Sequence, residues 1–277
     1  MSFDDIFGQP LLTFPEGDKS PLSIRAKALV FVDPRSLLLR EQLEALAPRR
    51  LPVLIRGETG TGKELLARQI HRASDRGGLF VSVNCGGISP NYADAELFGY
   101  TAGAFNGATT SSRAGWFGSA NGGTLYLDEI ADLPLPIQGK LLVALENHEV
   151  TRVGAAQPSP VDVRLVAATS IDLALAVAAG KFSERLFHYL NEGNLLLPAL
   201  RDRVGDILSL AEYFIGIYSV RLGLTVPQLS EAAQHRLERY PWPGNTRELE
   251  NVIHFALLVC GGEILPEHLK LLALGPE

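Results

Sequence analysis

The chain has 277 residues, 46% of them hydrophobic and 20% charged, with a formal net charge of −6 at pH 7. This is the make-up of an ordinary globular protein, long enough to bury a full core in one large domain or two smaller ones. The acidic balance argues against binding nucleic acid over a broad face, although a local basic patch stays open. Cys85 and Cys260 stand far apart without metal-ligand spacing, so buried thiols in a reducing compartment are expected. No stretch is long and apolar enough to span a bilayer, and the amino terminus lacks a charged-then-apolar signal pattern, so the expected location is cytoplasmic.

Residues 1–24 mix Gly, Pro, Asp and Ser with scattered aromatics and read as an irregular lead-in. A short strand over 25–32 precedes a helix over 36–47, in which Leu37, Leu38, Leu39, Leu43 and Leu46 fall at helical spacing and Ser36 is the expected cap. The apolar run 51–55 then enters Gly57-Glu58-Thr59-Gly60-Thr61-Gly62-Lys63-Glu64, followed by a helix over 65–71. Strand, glycine-rich loop and helix is the context in which this string cradles phosphate. Glycines let successive backbone N–H groups turn inward, the helix presents its positive end, and Lys63 reaches the β- and γ-phosphates. Glu64 occupies the place where a Ser or Thr usually ligates Mg²⁺.

The next strand, 79–85, has the polar Asn84 near its carboxyl end. Asn84 is placed for function, where ligands meet parallel sheets, and equally for a cap or turn. A short helix over 93–98 leads to a run of small residues, 99–110, read as a surface loop. Phe105 within it is either a core plug or a partner contact. The strand 122–127 ends in Asp128 and Glu129. Opposite a phosphate loop, Asp128 would hold Mg²⁺, usually through water, and Glu129 would orient and deprotonate an attacking water. A helix over 133–146, a turn at 154–160, a strand over 161–170 and a helix over 171–179 closed by Gly180 follow. Helix 182–190 and an extended piece at 195–198 end the strand-containing part. Helices over 206–222, 230–239, 246–258 and, more weakly, 266–274 complete the chain. Alternation of strand and helix predicts an α/β fold, a mostly parallel sheet flanked by helices. The change near Leu200 divides it into an α/β domain over 25–200 and a small all-helical domain over 201–277.

Three stretches together resemble one family: Gly57 to Glu64, the loop Gly103-Ala104-Phe105-Asn106-Gly107-Ala108, and Trp242-Pro243-Gly244-Asn245-Thr246-Arg247-Glu248-Leu249-Glu250-Asn251. They are similar to the central AAA+ domain of bacterial enhancer-binding proteins, which activate transcription by RNA polymerase carrying sigma-54. The resemblance runs from about residue 23 to the end, and the family shares Glu64. It implies a P-loop AAA+ sheet followed by a lid domain, ATP hydrolysed to ADP and phosphate, and Mg²⁺. Gly57 to Glu64 would be Walker A, and Asp128 with Glu129 Walker B. Asn84 would restrain the catalytic glutamate, Thr169 would be sensor I and Arg247 sensor II. Gly103 to Ala108 would grip sigma-54, with Phe105 at the tip. Members assemble as rings, usually hexamers.

The sequence departs from the family in three places. Asn106 replaces the loop threonine, keeping a polar side chain but losing the hydroxyl and the β-methyl. In Phe182-Ser183-Glu184-Arg185-Leu186-Phe187-His188-Tyr189-Leu190, aligned without a gap, Ser183 and Tyr189 take the places of two arginines. The family projects those arginines into the neighbouring subunit's site, where a finger supplied in trans is worth about 10³–10⁵ in rate. Arg185 sits two residues from the first position, roughly 200° around a helix. Finally, no helix-turn-helix or basic cluster follows the last helix, so no DNA-binding module is expected within this chain. Two functions are compatible with these departures. One is an ATPase that engages sigma-54 in a homo-oligomeric ring, favoured by the intact Asp128-Glu129 pair. The other is a hydrolysis-impaired regulatory subunit acting in a mixed ring or modulating another activator, favoured by Ser183 and Tyr189.

Overall fold

The computed structural model describes the backbone of 11–13 and residues 28–104 and 111–272 in full. In chain order the elements are β1 (Leu11–Thr13), β2 (Ala28–Val30), α1 (Pro34–Leu46), β3 (Val53–Arg56), α2 (Lys63–Arg72), β4 (Phe80–Asn84), α3 (Ala93–Phe98), α4 (Gly115–Ser119) and β5 (Thr124–Asp128). Then come α5 (Leu135–Asn147), β6 (Glu149–Val150), β7 (Ser159–Pro160), β8 (Arg164–Thr169), α6 (Leu173–Ala178), α7 (Glu184–Leu190) and β9 (Asn194–Leu196). The last are α8 (Ile207–Leu222), β10 (Gln228–Leu229), α9 (Glu231–Arg239), α10 (Asn245–Val259) and β11 (Glu263–Ile264). The chain divides into two compact units. One comprises Gln42–Gly57 and Leu66–Leu196; the other comprises Glu58–Leu65, the described residues before Gln42, and the chain from Leu197 onward.

The first unit is built on a parallel sheet of order β4-β5-β8-β3-β9. Its central strands β5, β8 and β3 bury both faces, as parallel strands covered by helices do. Leu54, Leu125, Leu127, Leu165 and Ala167 share one core with Leu97, Phe117, Leu141 and Leu186 from the helices. Their alternates Val53, Ile55, Tyr126, Val166 and Ala168 are equally inaccessible. On the Thr124–Tyr126 side, His71 of α2 lies 2.8 Å from the Thr124 hydroxyl, Phe80 stacks on Tyr126, and the Arg68 guanidinium sits 4.7 Å above the Phe80 ring. Burial lowers the His71 pKa, and the cations Arg76 and Arg164 push the same way. Full burial of each aliphatic side chain stabilises by about 1.5–3 kcal/mol, so the sheet is a firm platform for what its ends carry. Arg164 is nearly inaccessible. It donates to the carbonyls of Ala47, Leu46 (3.0 Å) and Leu51 (3.3 Å), placing a cation at the end of α1.

The second unit packs α8, α9 and α10 around Trp242, Phe214, Leu237, Leu249 and Ile253. Gly223 closes α8 in the left-handed conformation (φ 67°), and Ser230 caps α9 by accepting from the Ala233 amide (3.3 Å). To the helices expected here the structure adds a two-residue parallel pair, β10 with β11. The expected helix over 266–274 is only a single tight turn, Pro266–His268, and its last two residues lie outside the described ones. The expected cap at Ser36 is corrected: α1 starts two residues earlier, at Pro34, whose fixed φ suits a first helical position. Asp33 does the capping, accepting from the Arg35 amide (2.9 Å). Ser36 is buried inside the helix and donates to Asp206. Helix α4 and the β6–β7 pair are not legible in the sequence, being short and rich in Gly, Ser or Pro. Cys85 is buried and Cys260 half-buried. Among the described residues no helix is long and apolar enough to cross a membrane.

Candidate nucleotide site

The glycine-rich loop leaves the carboxyl end of β3. The Gly57 amide donates to the Thr169 carbonyl at 3.2 Å, which seats the start of the loop beside the end of β8. Beyond it the chain turns through left-handed Gly60 (φ 83°) and Gly62 (φ 108°), and Lys63 opens α2. Side chains rarely adopt such angles, so glycine is required at both. Gly60 has a second constraint: a Cβ there would run into the carbonyl oxygen of Gly244. The Arg247 amide also donates to the Gly60 carbonyl at 3.2 Å. The Glu58 carbonyl accepts from the Thr61 hydroxyl (2.7 Å) and the Lys63 ammonium (3.4 Å). Lys63 is 6% exposed and Glu64 lies in the first helical turn.

Residues of the lid brace this loop. Asn245 is fully buried with φ 53°, and its amide nitrogen donates to a Glu58 carboxylate oxygen (3.0 Å) and the Thr59 carbonyl (3.1 Å). Its side-chain oxygen accepts from the Leu200 amide at 2.8 Å. Arg201 meets the Glu58 carboxylate with two guanidinium nitrogens, one at 2.9 Å. The Arg201 hydrogen bond, then the Asn245 one, holds the Glu58 carboxyl at about 2, well below the ordinary carboxylate range. Arg203, buried, donates to the Thr61 carbonyl (3.0 Å) and the Thr246 hydroxyl (3.3 Å) and pairs with Asp206 (3.6 Å). Asp206 in turn accepts from the amides of Val32 and Asp33, both at 2.8 Å. The turn carrying Asn245 is itself fixed by Glu248, which accepts from the Tyr240 hydroxyl (2.9 Å) and the Gly244 amide (2.8 Å). Buried Trp242 (φ 50°) donates to the Leu237 carbonyl at 2.8 Å.

The acidic residues stand at the carboxyl edge of the sheet. Asn84 and Asp128 are paired in register across β4 and β5. Asn84 accepts from the Gly86 amide (2.9 Å), and Tyr126 donates to Asp128 (2.9 Å). Glu129 has left-handed backbone angles (φ 50°, ψ 56°), a conformation that for a side-chain-bearing residue costs about 1–3 kcal/mol and clusters at functional sites. Its carboxylate accepts from both the amide and the hydroxyl of Ser170, each at 2.9 Å. Thr169 is buried, and its hydroxyl is engaged with the backbone of Ile171 at 3.2 Å. Burial, reinforced by the charges of Asp128 and its neighbours, pushes the Cys85 thiol up. Sequence reasoning passes over Ser170, Arg201 and Arg203, and only Arg201-Asp202-Arg203, a charged cluster at the boundary of a strand-free region, gives a signal.

Gly103 and Ala104 are described, whereas Phe105, Asn106, Gly107 and Ala108 lie outside the described residues. The feet of that loop are clamped. Tyr100 and Arg113 exchange two backbone hydrogen bonds (2.9 Å each), and Thr101 donates to the Val153 carbonyl (3.0 Å) while Val153 donates to that of Gly99 (2.9 Å). In α7, Ser183 is the amino-terminal cap, accepting from the Leu186 amide (3.3 Å). Tyr189 is half-buried, and burial raises its hydroxyl pKa. Arg185 is exposed and pairs with Glu146 at 3.3 Å.

A five-stranded parallel sheet with flanking helices, a glycine-rich loop entering α2 and a helical lid define a P-loop AAA+ domain. The chain belongs to the sigma-54 interaction domain family, whose model matches residues 29–196, and an AAA+ ATPase lid domain model matches residues 201–273. It is 54% identical to the sigma54-dependent transcriptional activator SfnR of Pseudomonas putida, over 94% of this chain and 72% of that protein. It is 49% identical to the nitric oxide reductase transcription regulator NorR1 of Cupriavidus necator, over 80% of this chain but 43% of that protein. The crystal structure of NtrX from Brucella abortus in complex with ADP superposes with a TM-score of 0.80 at 35% identity, covering 87% of this chain and 54% of the other.

Proposed function

We propose that this chain binds ATP with Mg²⁺, hydrolyses it within an oligomeric ring, and uses the cycle to engage sigma-54 RNA polymerase and activate transcription. The observation that carries this reading is the braced loop Gly57 to Glu64. Left-handed glycines there leave room for backbone N–H groups to face an anion, and Lys63 opens the helix behind them. The similar NtrX of Brucella abortus forms complexes with ADP and with ATP, which supports nucleotide binding by this chain. In this reading Gly57, Glu58, Thr59, Gly60, Thr61, Gly62, Lys63 and Glu64 form the phosphate cradle and Arg247 senses nucleotide state. Asp128 holds Mg²⁺ through water; one of its oxygens accepts from Tyr126, and a carboxylate has lone pairs to spare for such a contact. When bound, the cation neutralises phosphate charge. Glu129 orients and deprotonates the attacking water, Asn84 restrains that carboxylate, and Thr169 acts as sensor I. The loop Gly103 to Ala108 contacts sigma-54, with the lid starting near residue 201.

A second reading, a nucleotide-binding subunit that hydrolyses poorly alone and works in a mixed ring, is favoured by the placement of Ser183 as a helix cap and Tyr189 as a packed ring. Neither supplies a cation. Steady-state ATPase activity measured across protein concentration separates the two readings. A rate per subunit that rises with concentration supports the first. A flat, near-zero rate alongside tight ATP binding supports the second.

A further inference from the structure

At the amino edge of the sheet, the loops that lead into β4, β5 and β8 and the turn after α1 enclose a polar cavity of about 180 Å³. Strand β5 spans five residues, so about 16 Å separates this edge from the one carrying Asp128 and Glu129. Arg49, Arg50, Arg76 and Arg164 line the cavity against Asp75 and Asp162, an excess of positive charge in a chain whose net charge is −6. Like charges gathered in this way cost free energy unless an anion answers them. The cost shows at Arg164, whose pKa is lowered by burial and lowered further by the Arg76 charge. Two of the four cations are fixed in place. Arg164 covers the carbonyls of Leu46, Ala47 and Leu51, so those dipoles no longer repel an anion. Arg76 donates from Nε to the Gly123 carbonyl and from Nη2 to the Asp162 carbonyl, both at 2.7 Å, and pairs with the Asp162 carboxylate at 2.7 Å. The Arg76 hydrogen bond holds the Asp162 carboxyl below the ordinary carboxylate range. With Asp162 spent on Arg76, Asp75 is the one carboxylate set against the other three arginines. Arg49 and Arg50 are exposed, and among the described residues neither side chain has a hydrogen bond or an ion pair.

We propose that this cavity is an oxyanion site that takes a phosphate group, free or carried by a small molecule, with Arg49 and Arg50 as its clamps and Arg76 and Arg164 as the fixed cations beside them. Guanidinium forks match the oxygens of a phosphate two at a time, which an ammonium does not. Size sets the ligand class. Pockets for drug-sized ligands run to about 300–1,000 Å³, so this one holds a single tetrahedral anion with a short stem and excludes a nucleotide. A nucleic-acid duplex needs a broad basic face, which the acidic balance of the chain argues against. The site shares no residue with the glycine-rich loop, and it stands whether or not that loop holds ATP.

The test is calorimetric titration of inorganic phosphate into the full chain carrying Lys63→Ala, which weakens any phosphate binding at the glycine-rich loop. Ionic strength is held constant with chloride, so that screening does not change along the titration. One phosphate per chain is expected to bind. Adding Arg49→Ala and Arg50→Ala together lowers the affinity at least about tenfold, as loss of two charge-assisted contacts should, with the melting temperature unchanged because both side chains are exposed. Asp75→Asn raises the affinity by removing the opposing carboxylate. Glycerol phosphate that binds more tightly than inorganic phosphate identifies a phosphomonoester as the ligand; equal or weaker binding identifies free phosphate. Absence of binding in the Lys63→Ala chain overturns the proposal, as does an affinity of the double arginine variant within twofold of its parent. An equal loss on Arg185→Ala, an exposed arginine outside the cavity, overturns it as well, because it would show a response to overall charge alone. Displacement of phosphate by duplex DNA and not by glycerol phosphate overturns it in favour of a nucleic-acid contact. Should Lys63→Ala melt below the parent, the unsubstituted chain is titrated instead. There the double arginine variant binds one phosphate fewer, and equal stoichiometry overturns the proposal.

Discussion

Single residues of the phosphate loop are held from the lid side, and two of them carry measurable consequences. Gly60 combines φ 83° with a backbone oxygen, that of Gly244, where a side chain would begin. The left-handed angle alone costs an L-residue about 1–2 kcal/mol, and the collision cannot be relieved by a rotamer change. Gly60→Ala is expected to weaken ATP binding by at least about tenfold, since ~1.4 kcal/mol is one decade; titration with ATP checks it. Glu58 gives a pH dependence. Its carboxyl is at about 2 in the folded chain against an ordinary 4.5, so the folded state favours the ionised form. The stability this contributes is fully present above pH 4.5 and is lost as pH falls toward 2. The carboxylate is partly exposed, so solvent screening keeps the effect modest. Denaturant unfolding of parent and Glu58→Gln should show a gap at neutral pH that closes over this acid window. A gap of constant size would contradict the coupling to Arg201 and Asn245.

At the scale of elements, α7 shows why an alignment position is not yet a role. Ser183 satisfies the Leu186 amide, and its own amide donates to Gln138 (2.8 Å), so the residue that stands in for an arginine is also what starts the helix. Replacing it with arginine removes a cap worth about 1 kcal/mol. Replacing the half-buried Tyr189 exchanges packed ring for charge. The double substitution Ser183→Arg with Tyr189→Arg is therefore expected to lower the melting temperature by a few degrees, at about 2–4 °C per kcal/mol for a chain of this size, while raising the ATPase rate per subunit. A rate that does not rise contradicts the gapless alignment of this helix. Four of the five sheet strands, β3, β4, β5 and β8, are legible because each is a short apolar run with a polar carboxyl end. The start of α1 is hidden because Pro34 sits ahead of the leucine periodicity, and Asp33, not Ser36, does the capping. Helix α4 escapes notice because Gly115-Trp116-Phe117-Gly118-Ser119 has too few residues to show a period.

At the scale of the molecule, the sequence motifs locate the loop and the acidic pair, but the contacts that shape them join residues far apart in the chain. Asn245 and Glu58 are 187 positions apart, and Glu129 and Ser170 are 41 apart; no local pattern encodes such a meeting. The glycine-rich string is what the proposed nucleotide site rests on, whereas Asn245, Arg201 and Arg203 brace its loop. The turn before α10 and the glycine-rich loop are consequently joined by side-chain and backbone hydrogen bonds. The Arg247 amide, bonded to the Gly60 carbonyl, makes this observable without any label or substrate. Its hydrogen exchanges with solvent only when the turn parts from the loop. A peptide spanning 245–250, followed by deuterium uptake, is thus a built-in gauge of how tightly the lid grips the loop, and any ligand that tightens that grip registers there as slowed exchange.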